Sequence, residues 1–142
     1  MITDIEQETN DFDWFFTDGN AVGHVASGGG KLPPSVARSV NGLNILQNYF
    51  NGLPTNSDVI VNIQSRTTND DHLMSFADMA KKGLYSFDKT HLGKPYDTAY
   101  HLIAKPGQAI QFKTLPEEIK EILINSRYID SFGSIIDVKD VT

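Results

Sequence analysis

The sequence predicts an α+β fold: a mostly antiparallel sheet with about three helices packed on one face. Three observations carry that expectation. Phe12, Trp14 and Phe16 alternate with Asp13, Phe15 and Thr17, the period of two that marks a strand. Three later segments place apolar residues at helical spacing. Strands and helices do not alternate as βαβ units, and several neighbouring strands are joined by turns too short for a crossover. At 142 residues the chain fits one domain, long enough to bury a core without staples.

The elements follow in order. Residues 1–11 are polar and acidic and are expected to form a loosely ordered arm, dispensable for folding; residues 12–142 form the domain. Asp18-Gly19-Asn20 turns the first strand into a second over Ala21 to Ser27. Gly23 leaves room on that strand for a bulky neighbour, Trp14 or Phe15. Trp14 is expected in the core, with Phe12 or Phe16 on its face. Gly28-Gly29-Gly30 breaks the second strand. Pro33-Pro34 then opens a helix carrying Val36, Val40, Leu43, Ile45 or Leu46, and Phe50, closed by Gly52 and Pro54. Asp58 to Gln64 alternates as a strand. Thr67 to Asp71 reads as a loop capping a second helix with Leu73, Phe76, Ala77 and Ala80 on one stripe. Leu84 to Asp88 and Asp97 to Lys105 read as a hairpin, and Ala109 to Lys113 as a further strand. Thr114-Leu115-Pro116-Glu117 has the spacing of a capping box before a last helix with Ile119, Ile122 and Leu123. Ile135, Ile136 and Val138 suggest a short final strand. Leu32-Pro33-Pro34-Ser35-Val36 and Leu115-Pro116-Glu117-Glu118-Ile119 read as two similar helix starts.

Charge is unevenly placed. The net charge is -6, and Asp4, Glu6, Glu8, Asp11, Asp13 and Asp18 precede the first base. The rest of the chain is balanced. Lys81, Lys82, Lys89, Lys94, Lys105 and Lys113 are opposed in their stretch only by Asp88 and Asp97. The plain meaning is a solvated acidic arm and a solvated lysine face. The sharper one is an acidic surface, Asp4, Glu6, Glu8 and Asp11, that attracts a basic protein. An acidic chain without a nucleic-acid motif argues against nucleic acid as a partner. Absence of cysteine removes disulfides, thiolate nucleophiles and cysteine zinc sites. The N-terminus does not read as a signal peptide, and no apolar run is long enough for a membrane helix, so a cytoplasmic location is expected.

Motifs that carry chemistry are sparse, and no cofactor or metal is indicated. Gly28-Gly29-Gly30-Lys31 sits between a strand and a helix, as a phosphate loop would. However, Leu32 and Pro33 follow the lysine where that loop needs a hydroxyl. His24, His72, His91 and His101 show no metal-ligand spacing, although His24 and His101 lie on expected strands. There is no Gly-x-Ser-x-Gly elbow. A Ser/His/Asp arrangement assembled across the fold stays open. Glu117 and Glu118 suit a helix start, as do Asp70 and Asp71. Tyr85, Phe87, Tyr96 and Tyr100 read as cross-strand aromatics before they read as a base-stacking platform.

Asp13-Trp14-Phe15-Phe16-Thr17-Asp18, Val22-Gly23-His24-Val25 and Gly28-Gly29-Gly30 with Pro33-Pro34 resemble the opening of a group of small, mostly uncharacterised bacterial proteins. Lys82 to Asp88, Tyr100 to Pro106 and Leu115 to Ile119 resemble the same group. Val25 stands where that group carries an aromatic. Some of these proteins look like immunity proteins of toxin systems, which implies a binding protein that neutralises a partner. The shared motifs look structural and imply no catalytic residue. Two functions follow as expectations. The first is a non-catalytic protein-binding domain, in one form an immunity-type inhibitor of a basic partner, contacting it through Asp4, Glu6, Glu8 and Asp11. The alternative is a small-molecule site or enzyme around His24, Gly28, Gly29, Gly30 and Lys31.

Overall fold

Aromatic residues on both faces of one short strand force the chain to build two apolar layers around a sheet. The computed structural model describes residues 1–61 and 70–142. Strand β1 (Asp13–Thr17) pairs antiparallel with β2 (Val22–Ala26). Asp18 holds the turn between them, its Oδ1 accepting from the Asn20 and Ala21 amides at 2.8 and 2.7 Å. Beyond β2 come α2 (Pro34–Ala37), α3 (Val40–Asn51), β3 (Val59–Val61), α4 (Asp70–Lys81), β4 (Tyr85–Lys89), β5 (Ala99–Pro106), α5 (Glu117–Leu123) and β6 (Ile135–Asp137); α1 (Asp4–Thr9) precedes β1. The sheet order is β1-β2-β4-β5-β3, with β6 alongside β3 on the far edge of β5.

The fold is α+β as expected. The sheet is mixed: β2 and β4 run parallel, with His24 beside Ser86 and Val25 beside Phe87, while the other pairings are antiparallel. A parallel pair needs a crossover, and α2, α3, β3 and α4 supply it.

Period two divides the side chains between the faces. Phe15, Val22 and Leu84 meet Leu46 and Phe50 of α3, Met79 of α4, and Ile119 and Leu123 of α5. Ala26, Ile103 and Ala104 meet Phe76 and Ala80 of α4. So α3, α4 and α5 share one face. Trp14, Phe16, Val25, Phe87 and Tyr100 point to the other, covered by Ile2, Leu32 and the C-terminal residues Ile136, Val138 and Val141. Trp14 is buried, and the Trp14 and Phe16 rings lie 5.5 Å apart, as the alternation predicts. The ring lying over Gly23 is that of Phe16; a Cβ there would sit 2.8 Å from Phe16 Cζ.

Several local expectations change. The helix read from Pro34 to Phe50 is two helices. Ser39 stops the first and caps the second, its Oγ accepting from the Gly42 amide at 3.1 Å. Ala109 to Lys113 is not a strand. The Ile110 amide bonds the Gly83 carbonyl and the Phe112 amide the Asn20 carbonyl, so this stretch crosses the strand ends and closes in a 3-10 turn, Phe112–Thr114. The Thr114 hydroxyl donates to the Gln111 carbonyl within that turn, leaving Pro116 to cap α5 without a side-chain bond. The likeness of the two helix starts is structural: Pro33 (φ -57, ψ 146) and Pro116 (φ -55, ψ 147) share one backbone conformation, each after a buried leucine. Of the strand expected from Asp58 to Gln64, Val59–Val61 is strand, Asp58 is not, and residues 62–64 lie outside the described residues, as do residues 67–69 of the expected loop Thr67 to Asp71, whose last two residues already belong to α4.

The N-terminal segment differs most from its expectation of a loosely ordered arm. Thr3 and Glu6 form a reciprocal capping box that starts α1. Ile2 is buried in the core, its amide donating to the Ala37 carbonyl at 2.7 Å. Gln7 is buried as well; it donates to the Ile2 carbonyl and accepts from the Leu32 amide. Burying one isoleucine stabilises a fold by about 1.5–3 kcal/mol. Deleting residues 1–10 is therefore expected to lower the urea midpoint clearly, and an unchanged midpoint would show that α1 contributes nothing to the fold.

Candidate functional site

The two sets of residues expected to carry function meet at one corner. There α1 lies over the glycine turn that leaves β2. Gly28 (φ +56) and Gly29 (φ +79) occupy left-handed backbone that other residues resist. The Gly28 amide donates to Asp11 Oδ1 at 2.9 Å. A Cβ on Gly29 would approach the Glu8 carbonyl at 2.9 Å, and one on Gly30 would stand 2.9 Å from Lys89 Nζ. The turn thus closes on its own neighbours. The Glu8 carbonyl lies against Gly29 and the Lys89 ammonium against Gly30.

Lys89 is the unexpected residue here. It sits at the end of β4, 2% exposed, beneath the glycines. Its Nζ donates to the Asp97 carbonyl at 2.5 Å and lies 5.3 Å from the centre of the Tyr100 ring. The Tyr100 hydroxyl donates to the Ser27 carbonyl at 2.7 Å. Burial pushes the Lys89 ammonium below the ordinary lysine range, and the nearby Asp97 charge opposes that shift. Asp97 is held below the usual carboxylate range, chiefly by the Ala99 amide and also by His91. Burial, then the charges of Asp11, Asp88 and Asp97, pushes the Tyr100 hydroxyl well above its ordinary value.

These shifts predict a pH dependence. Between the lowered Lys89 value and the ordinary 10.5, the unfolded chain binds more protons than the folded one, so stability rises with pH. Above the ordinary tyrosine value of 10.0 the folded chain keeps the Tyr100 proton longer, so stability falls. Lys89→Met is expected to remove the rise and keep the fall, read from urea midpoints at pH 7 to 11. A rise that persists in the variant would assign it to another group.

The four acids do not form one surface. Glu6 is turned back on its own helix start, its Oε2 accepting from the Thr3 amide, and Asp11 caps the glycine turn. Asp4 and Glu8 are exposed, and among the described residues neither forms an ion pair. Together with Gln7, Lys31, Pro95 and Tyr96 they line a shallow depression of about 180 Å³. Tyr96 is 86% exposed, and Leu92 on the same loop 69%. Lys31 belongs to this depression; His24, from the same expected small-molecule site, is bound up elsewhere.

His24 joins three strands. Its Nε2 lies 2.9 Å from Asp13 Oδ1 on β1, and its Nδ1 lies 2.7 Å from Ser86 Oγ on β4. A neutral ring with its proton on Nε2 satisfies both, the serine hydroxyl donating to Nδ1. Serine, histidine and aspartate are linked in series as in a hydrolytic triad, but the two ring nitrogens are exchanged, Nδ1 on the serine and Nε2 on the aspartate, and the exposure is reversed. Ser86 is wholly buried, and the Asp13 side chain is half exposed. A nucleophile has to reach its substrate, so this arrangement ties strands together. His101 bonds Thr90 through Nδ1. The His72 side chain lies outside the described residues. Among those described, no three His, Asp or Glu side chains cluster to hold a metal ion, and no helix is long and apolar enough to cross a membrane.

Comparison of the chain with protein-family models, curated proteins and solved structures finds no match. Lys89, expected on a solvated lysine face, is instead buried, because the parallel pairing of β2 and β4 sets the end of β4 beneath the glycine turn; the same pairing brings Ser86 to His24. Period two put Tyr85, Phe87 and Lys89 on one face, which was the available signal.

Proposed function

We propose that the chain is a non-catalytic protein-binding domain whose contact surface is the corner formed by α1 and the β4–β5 loop, and that its partner is basic there. The observation that supports this reading is the juxtaposition of exposed Tyr96, on the same loop as exposed Leu92, with Asp4 and Glu8, two carboxylates without an ion partner among the described residues. Exposed aromatic and aliphatic anchors beside unpaired charge are the composition of a binding hot spot with a polar rim. The other two acids of this corner, Glu6 and Asp11, are already bonded inside the fold. Inhibition of a toxin is the particular form that the sequence resemblance favours, and it rests on that resemblance alone.

The roles of anchor and charge separate in kinetics. Opposite charges accelerate encounter, and salt screens them over about 8–10 Å. Asp4→Asn with Glu8→Gln should slow association and flatten its salt dependence while dissociation changes little. Tyr96→Ala should chiefly speed dissociation, by roughly tenfold or more if the ring is a hot spot. The measurement is surface plasmon resonance across a salt series, with a basic partner captured at low salt. Equal kinetics for wild type and all three substitutions would move the interface off this corner. Glu6 and Asp11 serve as internal controls, because their loss should lower stability before it alters encounter.

A further inference from the structure

A second site lies on the opposite side of β1, where α2 and the start of α3 face α5. Here Phe15 of β1 and Leu43 and Leu46 of α3 form the apolar floor of a cleft of about 250 Å³. Arg38 stands on one wall and Glu121 on the other. Both are exposed, and among the described residues neither guanidinium nor carboxylate makes an ion pair, with each other or with any third group. Opposite charges that line one cleft without meeting leave a gap that a molecule bearing both charges would fill.

The cleft also holds a free donor. Ser35 Oγ and Ser126 Oγ lie 2.7 Å apart across its end, and Ser126 is 5% exposed. Two hydroxyls carry two protons, and their mutual bond uses one. The other has no acceptor among the described residues. Ser35 precedes Arg38 by one helical turn, so donor and guanidinium rise from the same wall. A carboxylate is the group that accepts from both. On α5, Glu121 offers the complementary acceptor for an ammonium.

We propose that this cleft binds a small zwitterion with an apolar side chain, of the free α-amino-acid class: carboxylate on Arg38 and the serine pair, ammonium on Glu121, side chain on Phe15, Leu43 and Leu46. The volume suits a side chain of leucine or phenylalanine size. Gly42 marks the cleft for measurement. It is buried in α3, and a Cβ there would stand 3.3 Å from Ile122 Cγ2, so its amide reports on the narrow part of the site. This site is independent of the corner built on α1.

The test is titration of the full chain with L-leucine, L-phenylalanine, L-leucinamide and N-acetyl-L-leucine, followed by amide chemical shifts. L-leucine should shift the Gly42 and Ser126 amides saturably at millimolar concentration or tighter, the range expected of a small ligand held at an open cleft. Leucinamide lacks the carboxylate and N-acetyl-leucine lacks the ammonium, so each should bind at least about tenfold more weakly, since a charge-assisted bond has been lost. Arg38→Gln should weaken leucine by a similar factor and leave leucinamide unchanged. Glu121→Gln should weaken leucine and leave N-acetyl-leucine unchanged. Both residues are exposed, so both variants should fold, which the unchanged dispersion of the remaining amides confirms. Absence of saturable shifts with L-leucine and L-phenylalanine, shifts confined to another surface, or losses that ignore which charge was removed would each overturn the assignment.

Discussion

Trp14→Ala is expected to destabilise the fold by about 3–5 kcal/mol, the largest effect of any single truncation considered, because the ring is fully buried and packed on all sides. Its layer joins Ile2, Val25, Leu32 and the C-terminal Val138 and Val141, so the cavity would open where three separate stretches of chain meet. Such a junction collapses poorly onto a void. Trp14→Phe should cost much less than the change in volume suggests. The indole Nε1 is buried without a hydrogen-bond partner among the described residues, and an orphaned donor carries a penalty of about 1–3 kcal/mol that phenylalanine removes. Urea unfolding of both variants measures the difference. The fluorescence of Trp14, the one tryptophan, should be blue-shifted in the native state and move red on unfolding. A cost below 1 kcal/mol for the alanine variant, or red emission from the native protein, would contradict the packing described.

Gly23→Ala should approach it, at about 3 kcal/mol, the upper part of the range for overpacking. The added methyl would fall against the Phe16 ring, with Cζ and Cδ1 both inside 3.0 Å. That ring has little room to retreat. Phe132 lies 4.7 Å from it, Trp14 5.5 Å, Phe87 5.7 Å and Tyr128 6.0 Å, centre to centre. Phe16→Leu alone creates a cavity, yet in the Gly23→Ala background the smaller side chain relieves the clash. The double variant should therefore be more stable than the sum of the two single effects by about 1 kcal/mol or more. Strict additivity in denaturation would show that the ring rotates away freely.

Both predictions concern the part of the fold that is written locally. β1 and β2 announce themselves through alternation and a turn of residues that tolerate it. α3, α4 and α5 show their apolar stripes, and the structure places all three on one face of the sheet. α1 was also written, in the spacing of Thr3 and Glu6, but six residues carry too little apolar pattern to outweigh their charge. What docks α1 is Ile2 and the double hydrogen bond of Gln7, and Gln7 finds Leu32 only once the glycine turn is made. Ala109 to Lys113 has strand-like composition. Tertiary contacts with Gly83 and Asn20 overrule it. The candidate sites follow the same division. The acids and glycines could be picked out one by one, whereas which acids are spent on caps, where Lys89 points, and that Arg38 faces Glu121 depend on elements distant in sequence.

The parallel pairing of β2 with β4 also sets a clock. His24 and Ser86 lie 62 positions apart, so the centre of the sheet cannot close until α2, α3, β3 and α4 have been traversed. Contacts between distant parts of a chain slow folding, because the entropy of closing the loop is lost before the contact forms. On the ribosome the β1–β2 hairpin emerges early, with Phe15 aimed at one uncovered side and Trp14 and Phe16 at the other. It waits, greasy on both sides, while the 58 residues between Ala26 and Tyr85 are made. Cellular yield of this protein should then depend more on holdase chaperones, and on the pace of translation before β4, than its equilibrium stability alone would indicate.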